Sequence, residues 1–162
     1  MGKVEKRTQF RPYVPVWQKE IVTDIAAQRR LPVGDTARDI VIEASRHTAI
    51  ISKLAPYFWR PLVRGDHIWP GHLDDQRNLS ELIEYPYERC ERLSLRMTTQ
   101  ERLLIDDIVM ALAAPDAHAV AALFILGLHD ERVVRAVAPM YRPRSRYAID
   151  RRYGKWVSSI RR

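Results

Sequence analysis

Arg92-Leu93-Ser94-Leu95-Arg96-Met97-Thr98-Thr99-Gln100-Glu101-Arg102 decides the fold, because the chain changes period part-way along it. From Arg92 to Met97 polar and apolar side chains alternate, the period of a strand with one buried face. Thr98 and Thr99 are residue types that cap helices, and Glu101 and Arg102 open a helical stretch. Leu104, Ile105, Ile108, Val109 and Leu112 then recur at helical spacing. Ala113-Ala114-Pro115-Asp116 interrupts that run, since proline suits the first turn of a helix and not its interior. A second helix is predicted over roughly 117–128, carrying Val120, Ala121, Leu123, Phe124 and Ile125. The order is strand, helix, tight turn, helix.

The N-terminal segment has the same order. Gln9-Phe10-Arg11-Pro12-Tyr13-Val14 reads as a strand that ends at Pro15 and Trp17. Ile21, Val22, Ile25 and Ala26 form a helical stripe, each 83 positions before Leu104, Ile105, Ile108 and Val109. Arg30-Leu31-Pro32-Val33-Gly34 makes the turn, and Pro32 stands 83 positions before Pro115. A second helix follows through Thr36, Ala37, Ile40, Val41 and Ala44. One strand and two small helices cannot bury enough surface to fold alone, so the second copy supplies the missing face. The expected fold is mostly α with a short two-stranded antiparallel β-ribbon, two repeats sharing one core.

This order resembles the ribbon-helix-helix family of DNA-binding proteins, in a tandem form where one chain supplies both copies. The resemblance implies that one strand from each copy pairs antiparallel and enters the major groove of double-stranded DNA. It divides the chain into a first repeat at 1–45, a connector at 46–91 that packs on the core, a second repeat at 92–130 and a basic tail at 131–162. Alternation would turn Phe10, Pro12, Val14, Leu93, Leu95 and Met97 inward. Gln9, Arg11, Tyr13, Arg92, Ser94 and Arg96 would then face the bases, where Arg can read guanine and Gln adenine with paired hydrogen bonds. Pro12 departs from the family pattern, because it has no N–H to give to a ladder. The second helix of each repeat would aim backbone N–H groups at phosphates, from Val33 and Gly34 and from Ala117 and His118. Asp35 opposes a phosphate at the first of these unless it caps the helix.

Charge is unevenly placed. Residues 1–130 hold 17 Lys/Arg and 18 Asp/Glu, a net −1, whereas 131–162 hold 10 Lys/Arg and 2 Asp/Glu, a net +8. Such a block suits phosphate contact by Arg142, Arg144, Arg146, Arg151 and Arg152, and it equally suits a solvated tail. Tyr147, Trp156, Val157 and Ile160 leave folding against the connector open as a further course for it. In the connector, Ser45–Tyr57 is expected to extend the second helix, and Asn78–Glu84 to form a short one. Trp59, Trp69, Tyr85 and Tyr87 are expected to pack over the core rather than stack on bases.

Asp66-His67-Ile68-Trp69-Pro70-Gly71-His72-Leu73-Asp74-Asp75 is the one stretch with the residue types of a metal or acid–base site. Pro70 and Gly71 preclude a single helical face there, so a polar loop is expected. His118 and His129 read as a helix-start and an exposed helix-end residue. One cysteine, Cys90, excludes an intrachain disulfide and a cysteine-rich zinc site. No Gly-rich phosphate loop or nucleophile elbow appears, and neither catalysis, cofactor nor metal is expected. The basic start, Met1 to Arg7, has no apolar signal core after it, and no apolar run has bilayer-spanning length. A cytoplasmic, nucleoid-associated location is therefore expected, with no membrane partner. The expected role is sequence-specific binding of double-stranded DNA, as a transcriptional repressor or as a relaxosome or replication accessory, with further self-association on DNA left open. The other readings are an antitoxin-like or adaptor module that binds protein, and a nonspecific RNA or architectural binder.

Overall fold

Thr98 makes the change of period in a single residue. Its hydroxyl accepts from the Glu101 N–H at 3.1 Å, while the Glu101 carboxylate accepts from the Thr98 N–H at 2.9 Å. This reciprocal cap satisfies two groups that a helix start leaves bare, and so the strand stops and the helix begins there. The computed structural model describes residues 7–74, 77–83 and 90–143, and the backbone alone of 147–150 and 155–158.

In chain order the elements are β1 (Arg7–Phe10), β2 (Tyr13–Pro15), α1 (Val16–Arg29), α2 (Val33–Arg46), α3 (Thr48–Leu54), β3 (Leu62–Arg64) and β4 (His67–Trp69). Then come β5 (Cys90–Arg92), β6 (Leu95–Thr98), α4 (Thr99–Leu112), α5 (Asp116–Leu128), α6 (Glu131–Val137), β7 (Tyr147–Asp150) and β8 (Lys155–Ser158). The described chain is mostly helical with short antiparallel strand pairs.

β1 pairs with β6, from Arg7 opposite Thr98 to Phe10 opposite Leu95. β2 pairs with β5, from Tyr13 opposite Arg92 to Pro15 opposite Cys90. Both pairings keep one register, so residues 7–15 and 90–98 form a single antiparallel ribbon with an interruption at its middle. Pro12 causes the interruption. Its carbonyl still accepts from the Leu93 N–H at 2.9 Å, but it has no N–H with which to return the bond. The alternation is kept: Phe10, Pro12, Val14, Leu93, Leu95 and Met97 are buried.

The 83-residue spacing extends to the bounds of the helices. α1 and α4 are offset by 83 at both ends, α2 and α5 at their starts, and α3 and α6 at both ends. The turns agree as well. Arg30 and Ala113, one residue past α1 and α4, have φ of 58° and 49°, the left-handed cap that closes a helix. α2 and α5 meet at the centre of the core, where Gly127 faces Ala44, again 83 apart. A Cβ on Gly127 would stand 2.9 Å from the Ala44 Cβ and 3.2 Å from the Ile40 carbonyl oxygen, so the two helices pack backbone against side chain.

Three expectations differ from the structure. α2 does not run on to Tyr57: His47 adopts an extended backbone, and α3 begins afresh at Thr48. Of the short helix expected over Asn78–Glu84, the described residues 78–83 show the single 3-10 turn Leu79–Glu81, and Glu84 lies outside the described residues. Residues 131–137, expected in the tail, form α6, with Val133 and Val134 in the core. Of the stripe on α4, Leu104 is 42% exposed, whereas Ile21 at the matching place on α1 is fully buried. The connector folds over the core with Tyr57, Phe58, Leu62, Trp69, Leu79 and Ile83 buried, and Trp59 half-buried; Tyr85 and Tyr87 lie outside the described residues. Arg64 pins it by binding Asp107 of α4 at 2.8 and 2.9 Å and the Ser45 carbonyl oxygen at the end of α2. Among the described residues, no single helix is long and apolar enough to cross a membrane.

Ala113 is exposed and bears the steric cost of a left-handed backbone that glycine avoids. Replacing Ala113 by Gly is expected to raise unfolding stability by about 0.5–1 kcal/mol. Urea denaturation followed by circular dichroism measures it, and an unchanged midpoint would contradict the strain.

Candidate nucleic-acid interface

With one face of the ribbon buried in the core, the other is left to solvent. Gln9, Arg11, Tyr13, Arg92, Ser94 and Arg96 all lie on that outer face and all are exposed. Arg7, two positions before Gln9 and opposite Thr98, extends it. The outward positions of the two strands thus carry four arginines and no carboxylate. Glu91 alternates to the other side, where Lys19 of α1 holds it at 3.1 Å.

Cross-strand pairing sets the neighbours on this face. Gln9 lies opposite Arg96, and Tyr13 opposite Arg92, whose guanidinium carbon stands 4.7 Å from the Tyr13 ring centroid. That distance is a cation–π contact, which holds the guanidinium over the ring. Between these two pairs the register places Arg11 opposite Ser94. Arg11 and Arg96 form no salt bridge with a described residue.

The start of α2 is brought against the ribbon. A Cβ on Gly34 would lie 2.8 Å from the Ser94 carbonyl oxygen, so Val33 and Gly34 stand beside the middle of the strand. Pro32 occupies the cap position and no side chain caps this end. Asp35 does not cap it either, and instead pairs with Arg38 at 3.4 Å. At the start of α5, Ala117 is half-buried and His118 exposed. The His118 N–H is already given to the Pro115 carbonyl at 2.9 Å, which removes it as a backbone donor to an anion. Asp116 there is neutralised by Arg102 at 2.8 Å. Arg102 also binds Asp106 at 2.6 Å and covers the Phe10 ring, and the Asp116 hydrogen bond raises its pKa above the usual arginine range against the pull of burial.

Of the basic residues expected at phosphates, Arg142 is placed at the last turn of α1. Its N–H donates to Gln28 Oε1 at 3.0 Å and its carbonyl accepts from Gln28 Nε2 at 2.6 Å. Tyr141 anchors the same segment by donating to Asp24 at 3.0 Å; burial, and then Asp24, push its phenol above the usual range. Arg144, Arg146, Arg151 and Arg152 lie outside the described residues. Sequence reasoning missed Arg7, although the alternation reaches it, and Arg30, exposed in the turn that leads into α2. His129 is not an exposed helix end: it is half-buried, 3.0 Å from Gln18 Nε2 and edge-on to Trp17.

The stretch around Asp66–Asp74 forms the β3–β4 hairpin and its exit, with His67 stacked on Trp69 at 4.0 Å. Asp75 lies outside the described residues. Among the described residues no group of three His, Cys, Asp or Glu is placed to hold a metal ion. No protein-family model matches this chain, and no curated protein or solved structure matches it at a significant level.

Replacing Gly34 by Ala forces the start of α2 away from the Ser94 carbonyl, because a backbone atom cannot rotate aside. The expected loss is about 1–3 kcal/mol of stability, as for other overpacked sites. Urea denaturation checks it, and a neutral result would mean the helix start is not held against the ribbon.

Proposed function

We propose that this chain is a tandem ribbon-helix-helix-like protein that binds double-stranded DNA by laying its ribbon in the major groove. On this reading its two halves form an internal pseudo-dimer around one core. The observation that carries it is the outer ribbon face, where Arg, Gln, Tyr and Ser side chains project together with no carboxylate among them. A two-stranded ribbon matches the width of the B-DNA major groove, and Arg and Gln match the paired donors and acceptors of guanine and adenine. The start of α2 beside the ribbon and the basic Arg30 and Arg142 near α1's end suit the phosphates that flank such a groove. Binding rather than catalysis is the proposed activity, and repression of transcription by occupying a site is its simplest output. Accessory roles in plasmid transfer or replication would use the same face.

The test is selection from a randomised duplex pool, followed by the Arg92→Ala/Arg96→Ala double variant. Both side chains are exposed, so the fold is expected to survive. Affinity for the selected site should fall by about 2–6 kcal/mol at constant salt, while weak binding to unrelated duplex remains. A selected motif that the variant binds as tightly as before would overturn the ribbon assignment.

Residues 144–162 carry seven Lys/Arg. If they touch phosphates, removing them lowers the slope of log affinity against log salt by about 0.9 for each phosphate no longer neutralised. An unchanged slope would leave the tail without a role in DNA binding.

A further inference from the structure

The register gives the outer ribbon face a direction. The 83-residue spacing matches Gln9 with Arg92, Arg11 with Ser94 and Tyr13 with Arg96. In the ribbon the first residue of each match lies across from a residue of the opposite strand set by the pairing: Gln9 opposite Arg96, Arg11 opposite Ser94 and Tyr13 opposite Arg92. The axis that would exchange the halves therefore passes between Arg11 and Ser94, and one arm of the ribbon lies on either side of it.

The two arms differ in chemistry. One arm presents Gln9 beside Arg96, with Arg7 beyond, which gives an amide and two guanidinium groups to reach base edges. Among the described residues the other presents a single guanidinium, Arg92, laid on the Tyr13 ring, with Pro15 and Cys90 beyond. At the axis itself only one side has a long donor, Arg11, against a serine. A symmetric dimer would repeat its contacts in both halves of a site, but these arms cannot.

We infer that the ribbon reads DNA in a single orientation, the Gln9–Arg96 arm on one half-site and the Arg92–Tyr13 arm on the other. This rests on the proposed binding to duplex DNA. The preferred site is then an asymmetric sequence: one half offers an adenine and a guanine in the major groove, the other a guanine without the adenine. Turning the protein around on such a site misplaces at least one paired contact, which weakens binding by about five- to 150-fold.

Cys90 makes the orientation visible. It is the only cysteine and stands at the Arg92–Tyr13 end of the ribbon, half-exposed. Burial pushes its thiol up, so coupling to an iron–EDTA cleavage reagent is done at mildly alkaline pH. On a duplex holding the selected site, the labelled protein should cut one flank at least about fivefold more than the other. Equal cutting on both flanks would overturn the single orientation while leaving DNA binding intact. A second variant, Arg7→Cys/Gln9→Arg/Arg11→Ser/Tyr13→Arg, gives positions 7, 9, 11 and 13 the same outer residues as 90, 92, 94 and 96. Selection on it should recover a palindrome, and an unchanged asymmetric motif would place the asymmetry elsewhere. Failure to select any motif with the wild-type chain would sink the DNA reading itself, and this inference with it.

Discussion

Among the described residues, neither strand of the ribbon has another partner, and almost every other feature follows from that. Residues 7–15 and 90–98 pair only with each other. An isolated pair of strands is marginal in water, so its inner face must be covered. The cover is four helices, two reached directly from each strand. α1 starts at the residue after Pro15 and α4 at the residue after Thr98. Each returns through a left-handed turn, at Arg30 or Ala113, which sends α2 and α5 back under the ribbon. Because those two helices meet at Gly127 and Ala44, position 127 has no room for a Cβ unless its neighbours shift. Pairing strands that lie some 80 residues apart thus encloses the core and, by the same act, exposes one face of the ribbon.

The matching positions are alike in backbone and unlike in chemistry. Thr98 caps α4 through a reciprocal pair of hydrogen bonds, where Pro15 starts α1 by its fixed backbone and no side-chain bond. Gln18 is buried against His129, with Trp17 edge-on to the same ring. At the matching places stand Glu101 and Arg46, which instead line an open cleft of about 350 Å³ with Arg29, Asp39 and Glu43. Leu104 borders that cleft and is exposed for this reason, whereas Ile21 is sealed. The backbone spacing is the same in both halves while the side chains on it differ.

The parts legible in the sequence are those where one local rule decides. Alternation over 9–14 and 92–97 assigns those residues to the faces they take in the ribbon, because a strand has a period of two. Pro32, Pro115 and the helical stripes marked out both helix pairs and their spacing. Illegible were features settled by contact across the fold. The break at His47 follows from the course α3 must take over the core, not from any helix breaker at that position. The helix at Glu131 is hidden because Val133 and Val134 stand at the start of a run otherwise dominated by charge. His129 looked like a surface residue because its partner, Gln18, is 111 residues away.

The charge on the ribbon face has a physical basis that net charge conceals. The first 130 residues sum to −1, so composition alone gives them no attraction for an anion. Yet among the described residues Glu91 is engaged by Lys19, Glu101 by Arg38 and Asp116 by Arg102. Arg38 also binds Asp35 and Asp39 on α2. These pairs contribute little to stability where they are exposed. Their larger effect is to leave Arg11 and Arg96 without carboxylate partners among the described residues. At physiological ionic strength a charge is felt over only about 8 Å, so an approaching ligand responds to the face it meets rather than to the sum over the chain. Four arginines on one ribbon face, with the acids tied down behind it, make a locally basic surface out of a segment with no excess of positive charge.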